Sequence, residues 1–288
     1  MSLLELKNVS YTYGAGTPFE ITAIKNINLT IEKGSFVGII GHTGSGKSTL
    51  VQHFNALLKP TEGQVLLNGE DINRSKHSAH EARFKVGLCF QYPEYQLFET
   101  TVYKDIAFGP TNMGLSEEEI KARVLEAAEF VGLTDELLNK SPFELSGGEK
   151  RRAAIAGIIA MRPEVLVLDE PTAGLDPSGR KKILSMICEY REKTDSTVII
   201  VSHSMEDVAA IADKIIVMNK GQVYKFADVH EIFAHSGELA SLGLEVPPVT
   251  NIFLKLKEMG LDIRTDIYTK DQAEKELLRY LQKEGIAW

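Results

Sequence analysis

The sequence predicts an α/β fold: a mainly parallel core sheet with an antiparallel β-subdomain, a helical subdomain and a small C-terminal helical extension. Two observations carry the prediction. Short apolar runs, FVGII at 36–40, VLVL at 165–168 and TVIIV at 197–201, are each followed by turn or helix signals, as strands buried on both faces require. The start of the chain instead alternates: Leu4, Leu6, then Val9, Tyr11 and Tyr13, and later Ile27, Leu29 and Ile31. With the Asn-Gly turn inside LLNGED at 66–71, that pattern reads as an antiparallel layer.

The remaining elements follow in order. Between Gln91 and Leu145 lies a mostly helical insert, in which Ser116-Glu117-Glu118-Glu119 forms a capping box that opens a helix running through Val131. The stretch IIVMNKGQVY at 215–224 reads as a hairpin. Beyond Gly237, set off by Pro247-Pro248, two amphipathic stretches follow helical spacing. The first carries Val249, Ile252, Phe253 and Leu256, and the second, capped by Thr269 to Gln272, carries Leu277, Leu278 and Leu281. The expected division is therefore a domain over 1–236, with its helical part at about 92–160, and an extension over 237–288.

Bulk properties exclude several functions. The 288 residues are 43% hydrophobic and 25% charged, enough to bury a substantial core, and the formal net charge of −8 argues against nucleic acid as the partner. The longest apolar runs, 153–161 and 165–168, fall short of the roughly 20 residues that span a bilayer. Residues 1–5 show no basic region followed by an apolar one, so a cytoplasmic protein is expected. Cys89 and Cys188 stand far apart, without a CxxC or a histidine cluster, and read as ordinary thiols.

The chemistry begins at Gly41-His42-Thr43-Gly44-Ser45-Gly46-Lys47-Ser48-Thr49, which fits the P-loop pattern between a strand and a helix. Its glycines let backbone N–H groups wrap phosphate oxygens, Lys47 meets the β and γ phosphates of ATP, and Ser48 offers a hydroxyl to Mg²⁺. In VLVLDEP the apolar run delivers Asp169 and Glu170 to a strand's carboxyl end, where open parallel sheets bind ligands. Asp169 suits an Mg²⁺ anchor, and Glu170 a base that deprotonates the attacking water. His203 follows the strand 197–201 and is placed to touch the γ-phosphate. A second glycine turn, Ser146-Gly147-Gly148-Glu149, enters a helix bearing Arg151 and Arg152, and its N–H groups suit an anion.

Taken in order, the P-loop, Gln91, LSGGE, Asp169-Glu170, AGLD at 173–176 and His203 resemble the ATP-binding cassette (ABC) family over roughly residues 4 to 225. The resemblance implies that the LSGG turn of one subunit closes over ATP held by the P-loop of another, a second copy or a paralogous ATPase. It implies that Tyr13 stacks on adenine, that Gln91 reaches Mg²⁺ and water while linking the core to the insert, and that Asp176 signals between the two sites. Position 149 is Glu where the family more often has Gln, which leaves its effect near ATP open. Further stretches, GTPFE at 16–20, HTGSGKSTLVQHFNALLKPT at 42–61, QYPEYQLFETTVYKDIAFGP at 91–110 and SPFELSGGEKRRAAIAG at 141–157, resemble ATPase subunits of energy-coupling factor importers, the second of two paralogues. This implies a membrane-embedded coupling subunit, docked on 92–113, and, through it, small membrane subunits that capture vitamins or metal ions. A DNA-repair cassette would insert a long coiled coil where Gln91 to Leu145 leaves too little room. Translation cassettes carry two copies per chain, and a nucleotide kinase has no use for LSGGE.

Overall fold

The computed structural model describes residues 2–234 and 236–285. The first two strands, β1 (Ser2–Tyr13) and β2 (Ile21–Glu32), pair antiparallel, with Leu6 opposite Leu29. Their apolar spacing changes parity, from Leu6 to Val9 and from Ile24 to Ile27, because Asn8 and Asn26 take left-handed φ of 51° and 49° in register shifts that reset the inward face. Gly63 sits against the first of these: a Cβ there would meet the Asn8 and Lys7 carbonyl oxygens at 2.3 and 2.4 Å.

Next come β3 (Phe36–Ile40), α1 (Lys47–Phe54), β4 (Glu62–Leu67) and β5 (Glu70–Asp71), the last two joined by the expected Asn68-Gly69 turn at φ 53° and 81°. The helix α2 (Lys76–Lys85) leads into β6 (Val86–Cys89). The insert holds α3 (Val102–Asn112), α4 (Glu117–Phe130), α5 (Asp135–Leu138) and α6 (Gly147–Ile159). The capping box at Ser116 and Glu119 is present, and Val131 is the C-cap of α4. Then follow β7 (Val165–Asp169), α7 (Pro177–Thr194), β8 (Thr197–Val201), α8 (Met205–Ile211), and the hairpin of β9 (Lys214–Asn219) and β10 (Gln222–Asp228). The chain finishes with α9 (Val229–Ala234), α10 (Ser236–Ser241), α11 (Pro248–Glu258) and α12 (Lys270–Lys283).

These strands build two sheets. The antiparallel one runs β2-β1-β4-β5, and the other runs β10-β9-β3-β8-β7-β6, parallel except for β10. Both faces of the parallel strands are covered: Val37, Ile39, Val165, Val167, Ile199 and Val201 join the antiparallel layer and α1. Their neighbours Phe36, Leu166, Leu168, Val198 and Ile200 join α3, α4, α6 and α7. Each such side chain, once buried, contributes about 1.5–3 kcal/mol. The edge strand β6 carries no signal of its own, having four residues with a glycine among them. Gly87 is what lets α6 approach, since a Cβ there would meet Ile158 Cγ2 at 2.4 Å.

A third cluster unites β9, α8 and α9 with Leu239, Leu244, Val246 and Tyr268, and so joins residues on both sides of 237. A fourth belongs to the tail: Phe253, Ile263, Ile267 and Ala273, with Val249, Leu256 and Tyr280 against them. The inward face of α12 is not the leucine face. Ala273 and Glu276 are buried, whereas Leu277 is exposed and Leu278 and Leu281 are half-buried. Glu276 is accommodated because it accepts from the Arg264 backbone N–H and from Arg279. The last three residues of the expected extension, 286–288, lie outside the described residues. Both cysteines are free thiols, and among the described residues no helix is long and apolar enough to cross a membrane.

Candidate active site

Three neighbouring strands, β3, β8 and β7, end at the same edge of the sheet, so Gly41, His203 and Asp169-Glu170 arrive together. They open onto a cleft of about 620 Å³ whose wall includes Tyr13, Thr43, Gly44, Gly46, Lys47, Ser48, Thr49, Gln91, Asp169, Glu170 and His203. The glycines are forced by space as well as by backbone. A Cβ at Gly41 would meet the Met218 carbonyl oxygen at 2.4 Å, and one at Gly46 (φ 99°) the Ala23 carbonyl oxygen at 2.7 Å. Gly44 (φ 79°) faces open space.

Lys47 is buried and folds back over the loop, donating from Nζ to the carbonyls of Gly41 (2.7 Å) and His42 (3.1 Å). Burial lowers its pKa, opposed by the charges of Glu170 and Asp169. Ser45 Oγ is buried with no hydrogen-bond partner among the described residues. Burial raises the pKa of Asp169, and the nearby Ser48 hydroxyl acts the other way.

Glu170 stands in a left-handed conformation, φ 52°, which for a residue with a side chain costs about 1–2 kcal/mol. Its N–H is tied to the Val201 carbonyl at 2.9 Å. Burial, reinforced by the charge of Asp169, pushes the carboxyl up to about 7. His203 Nε2 lies 3.6 Å from Glu170 Oε1, too far for a hydrogen bond, and its own pKa is lowered by burial and then by Lys47. Tyr13 is 41% exposed at the cleft's rim, its hydroxyl 3.3 Å from Thr49 Oγ1 and its ring edge-on to Tyr11 at 4.8 Å.

The second glycine turn does not line this cleft, and neither does Asp176. Ser146 is the N-cap of α6 in a capping box: its N–H and hydroxyl donate to Glu149 Oε2 (2.8 and 2.6 Å), which holds the Glu149 carboxyl below the usual carboxylate range. Asp176 caps α7 through the Gly179 N–H and is exposed. Arg151, the fifth residue of the same helix, does not turn toward an anion at the N-terminus. It is 2% exposed and forms a two-pronged pair with Glu94. Glu94 is thus half-buried and partnered, whereas Tyr95, Phe98 and Phe108 of the same segment are exposed. Beside these aromatics runs a groove of about 340 Å³ lined by Arg83, Phe84, Leu97, Phe98, Phe108 and Met161. Sequence reasoning also missed Asp207, which is buried and binds Arg180 and the Thr172 hydroxyl. No local pattern announces such partners, which lie far apart in the chain.

The family model described as ABC transporter matches residues 24–173. The chain is 55% identical to the energy-coupling factor transporter ATP-binding protein EcfA2 of Caldanaerobacter subterraneus subsp. tengcongensis, over 97% of this chain and 98% of the relative. It is 54% identical to the EcfA2 of Clostridium acetobutylicum over the same shares. Among solved structures it is similar to cbiO1 of Clostridium perfringens, part of the ABC transporter complex cbiONQ, with a TM-score of 0.74 and 37% identity over 90% of this chain and 97% of that one. It is also similar to the dimeric ATP-binding cassette MJ0796 bound to ADP and Pi, with a TM-score of 0.71 and 32% identity over 79% and 99%.

Proposed function

The chain belongs to the ABC transporter family, among the ATP-binding subunits of energy-coupling factor transporters, and on that premise we propose that it is the ATPase powering an importer of vitamins or metal ions through a membrane coupling subunit. One observation carries the reading at the level of chemistry: Lys47, Ser48, Asp169, Glu170 and His203 share one cleft at the carboxyl edge of the parallel sheet. Lys47 exchanges its loop carbonyls for the β and γ phosphates, and the N–H groups of 43–48 cradle them. Glu170 orients the attacking water and takes its proton, a role suited to a carboxyl poised near neutrality. His203 donates to the γ-phosphate, and Tyr13 stacks on the base.

The site also fits Mg²⁺. Its donors, the Ser48 hydroxyl, the Gln91 amide and the Asp169 carboxylate, are all oxygen and line one cleft. When bound, the ion neutralises charge on the β and γ phosphates.

Ser146 to Glu149 and Asp176 serve ATP held by a partner ATPase, a paralogue or a second copy. The aromatic groove beside 92–113 receives the coupling subunit, which places the chain on the cytoplasmic face of the membrane. Substrate-capture subunits are reached only through that subunit. The helices α11 and α12, with Ile252 and Leu277 exposed, help hold the two ATPases together.

The decisive experiment replaces Glu170 by Gln. ATP affinity is retained, and hydrolysis by the assembled pair falls about 10²- to 10⁴-fold. Near-normal turnover would remove Glu170 from the role.

A further inference from the structure

The loop that follows Glu170 is held by one buried guanidinium. From Nη1, Arg151 donates to the carbonyls of Pro171 (3.1 Å) and Ala173 (2.6 Å). From Nε and Nη2 it donates to the two carboxylate oxygens of Glu94, at 3.2 and 2.9 Å. Three functional segments therefore meet at one side chain. They are the short turn Pro93–Gln96 just after Gln91, the helix α6 just after the second glycine turn, and the loop just after Glu170.

Two of those segments are strained. Tyr92, next to Gln91, has φ 56°, and Glu170 has φ 52°, both left-handed for residues that bear side chains. Such conformations persist where the surroundings over-determine them. The guanidinium supplies that constraint, because its planar fork satisfies a carboxylate and two carbonyls at once, which an ammonium on a flexible stem does not. On the other side of the loop the Thr172 hydroxyl donates to Asp207 at 3.2 Å, and Asp207 is gripped by Arg180. The residue between the two carbonyls is thus pinned from the opposite direction.

We propose that Arg151 is a positioning residue for hydrolysis: with Glu94 it locks the turns that carry Gln91 and Glu170 to the helix of the second glycine turn. Glu170 then takes its working place only while the helical layer is seated. This rests on the reading of Glu170 as the base.

The test measures steady-state ATP hydrolysis by the assembled ATPase pair carrying Arg151→Lys, Glu94→Gln or both, with Glu170→Gln alongside. Arg151→Lys is expected to lower kcat about 10- to 100-fold and leave KM for ATP within about threefold. Glu94→Gln is expected to lower kcat about three- to tenfold. The double variant is expected to fall no more than about twofold below Arg151→Lys alone, because both changes cut one link. Thermal melting with and without Mg-ATP reports folding, and if Arg151→Lys does not fold, the isosteric Glu94→Gln carries the test. Unchanged kcat, losses shared equally between kcat and 1/KM, or multiplicative losses in the double variant would overturn the proposal. If Glu170→Gln is inactive while Arg151→Lys and Glu94→Gln turn over normally, only this proposal fails. If Glu170→Gln turns over normally, the reading of the base fails first.

Discussion

Both glycine-rich turns, 41–46 and 146–148, lead into a helix, yet they are built to opposite ends. The first is enclosed: backbone stands within 2.7 Å of where a Cβ would lie at Gly41 or Gly46, and Lys47 is buried across it. The second is open, with nothing within 4 Å of a Cβ at Gly147, and its Ser146 hydroxyl is occupied by Glu149 of the same turn. Enclosure suits the first turn to the phosphate role proposed for it, and exposure leaves the second free to meet another surface, as the proposed half-site requires. The difference lies in surroundings, since each turn presents N–H groups at a helix start.

The largest effect that tests this contrast is complementation. Lys47→Ala is expected to destroy nucleotide binding at its own P-loop, and Ser146→Arg to block the open turn, so each variant pair alone is inactive. If the chain works as a self-pair, a mixture regains one sound site in each mixed dimer, seen as nucleotide trapping and phosphate release. If the partner is a paralogue, the same pair of changes is divided between the two chains. A mixture no better than its parts, despite proven exchange, would mean that the open turn does not act on a partner's ATP.

The pH dependence sharpens what enclosure does to Glu170. Its carboxyl is raised from 4.5 to about 7, so the ionised form that the proposed base requires accumulates as pH rises. The kcat/KM profile is expected to climb about tenfold between pH 6 and 8, with its midpoint near 7. The sign for stability is opposite. The folded chain holds the proton that the unfolded chain releases, so the stability of the nucleotide-free protein declines as pH rises from about 4.5 to about 7. Glu170→Gln should flatten that decline in melting temperature, and a parallel decline in both proteins would assign it elsewhere.

The smallest effect concerns Glu149. Glu149→Gln keeps an oxygen acceptor for the Ser146 N–H while removing a negative charge beside the place where a partner's γ-phosphate would arrive. ATP-driven association in a Glu170→Gln background is expected to tighten about two- to fivefold, in line with about 0.3–1 kcal/mol for a charge at a helix start. Sedimentation at graded ATP concentrations measures it, and weaker association would give the carboxylate a positive role.

What the sequence determined alone was local. Alternation at 4–13, the apolar runs, the Asn68-Gly69 turn and the capping boxes at 116–119 and 269–272 each report backbone geometry within a few residues, and all appear in the structure. The change of parity between Leu6 and Val9 was not read from the alternation; the pairing of β1 with β2 and β4 explains it. The spacing from strand to glycine loop to helix places Lys47 and Ser48 at the sheet edge for the same local reason. Tertiary structure decided what depends on meeting across distance. It joined β6 to β7, turned the Ala273 and Glu276 side of α12 inward ahead of its leucines, and paired Arg151 with Glu94 instead of leaving both for outside partners. It also moved the Glu170 carboxyl toward neutrality, because the burial that dominates the shift arises only when β7 sits beside β8, while the charge of the adjacent Asp169 is there by sequence. Periodicity specifies which residues can share a face, but the free energy of burying a charge or filling a gap depends on the partner that packs there, and that partner is chosen by the fold.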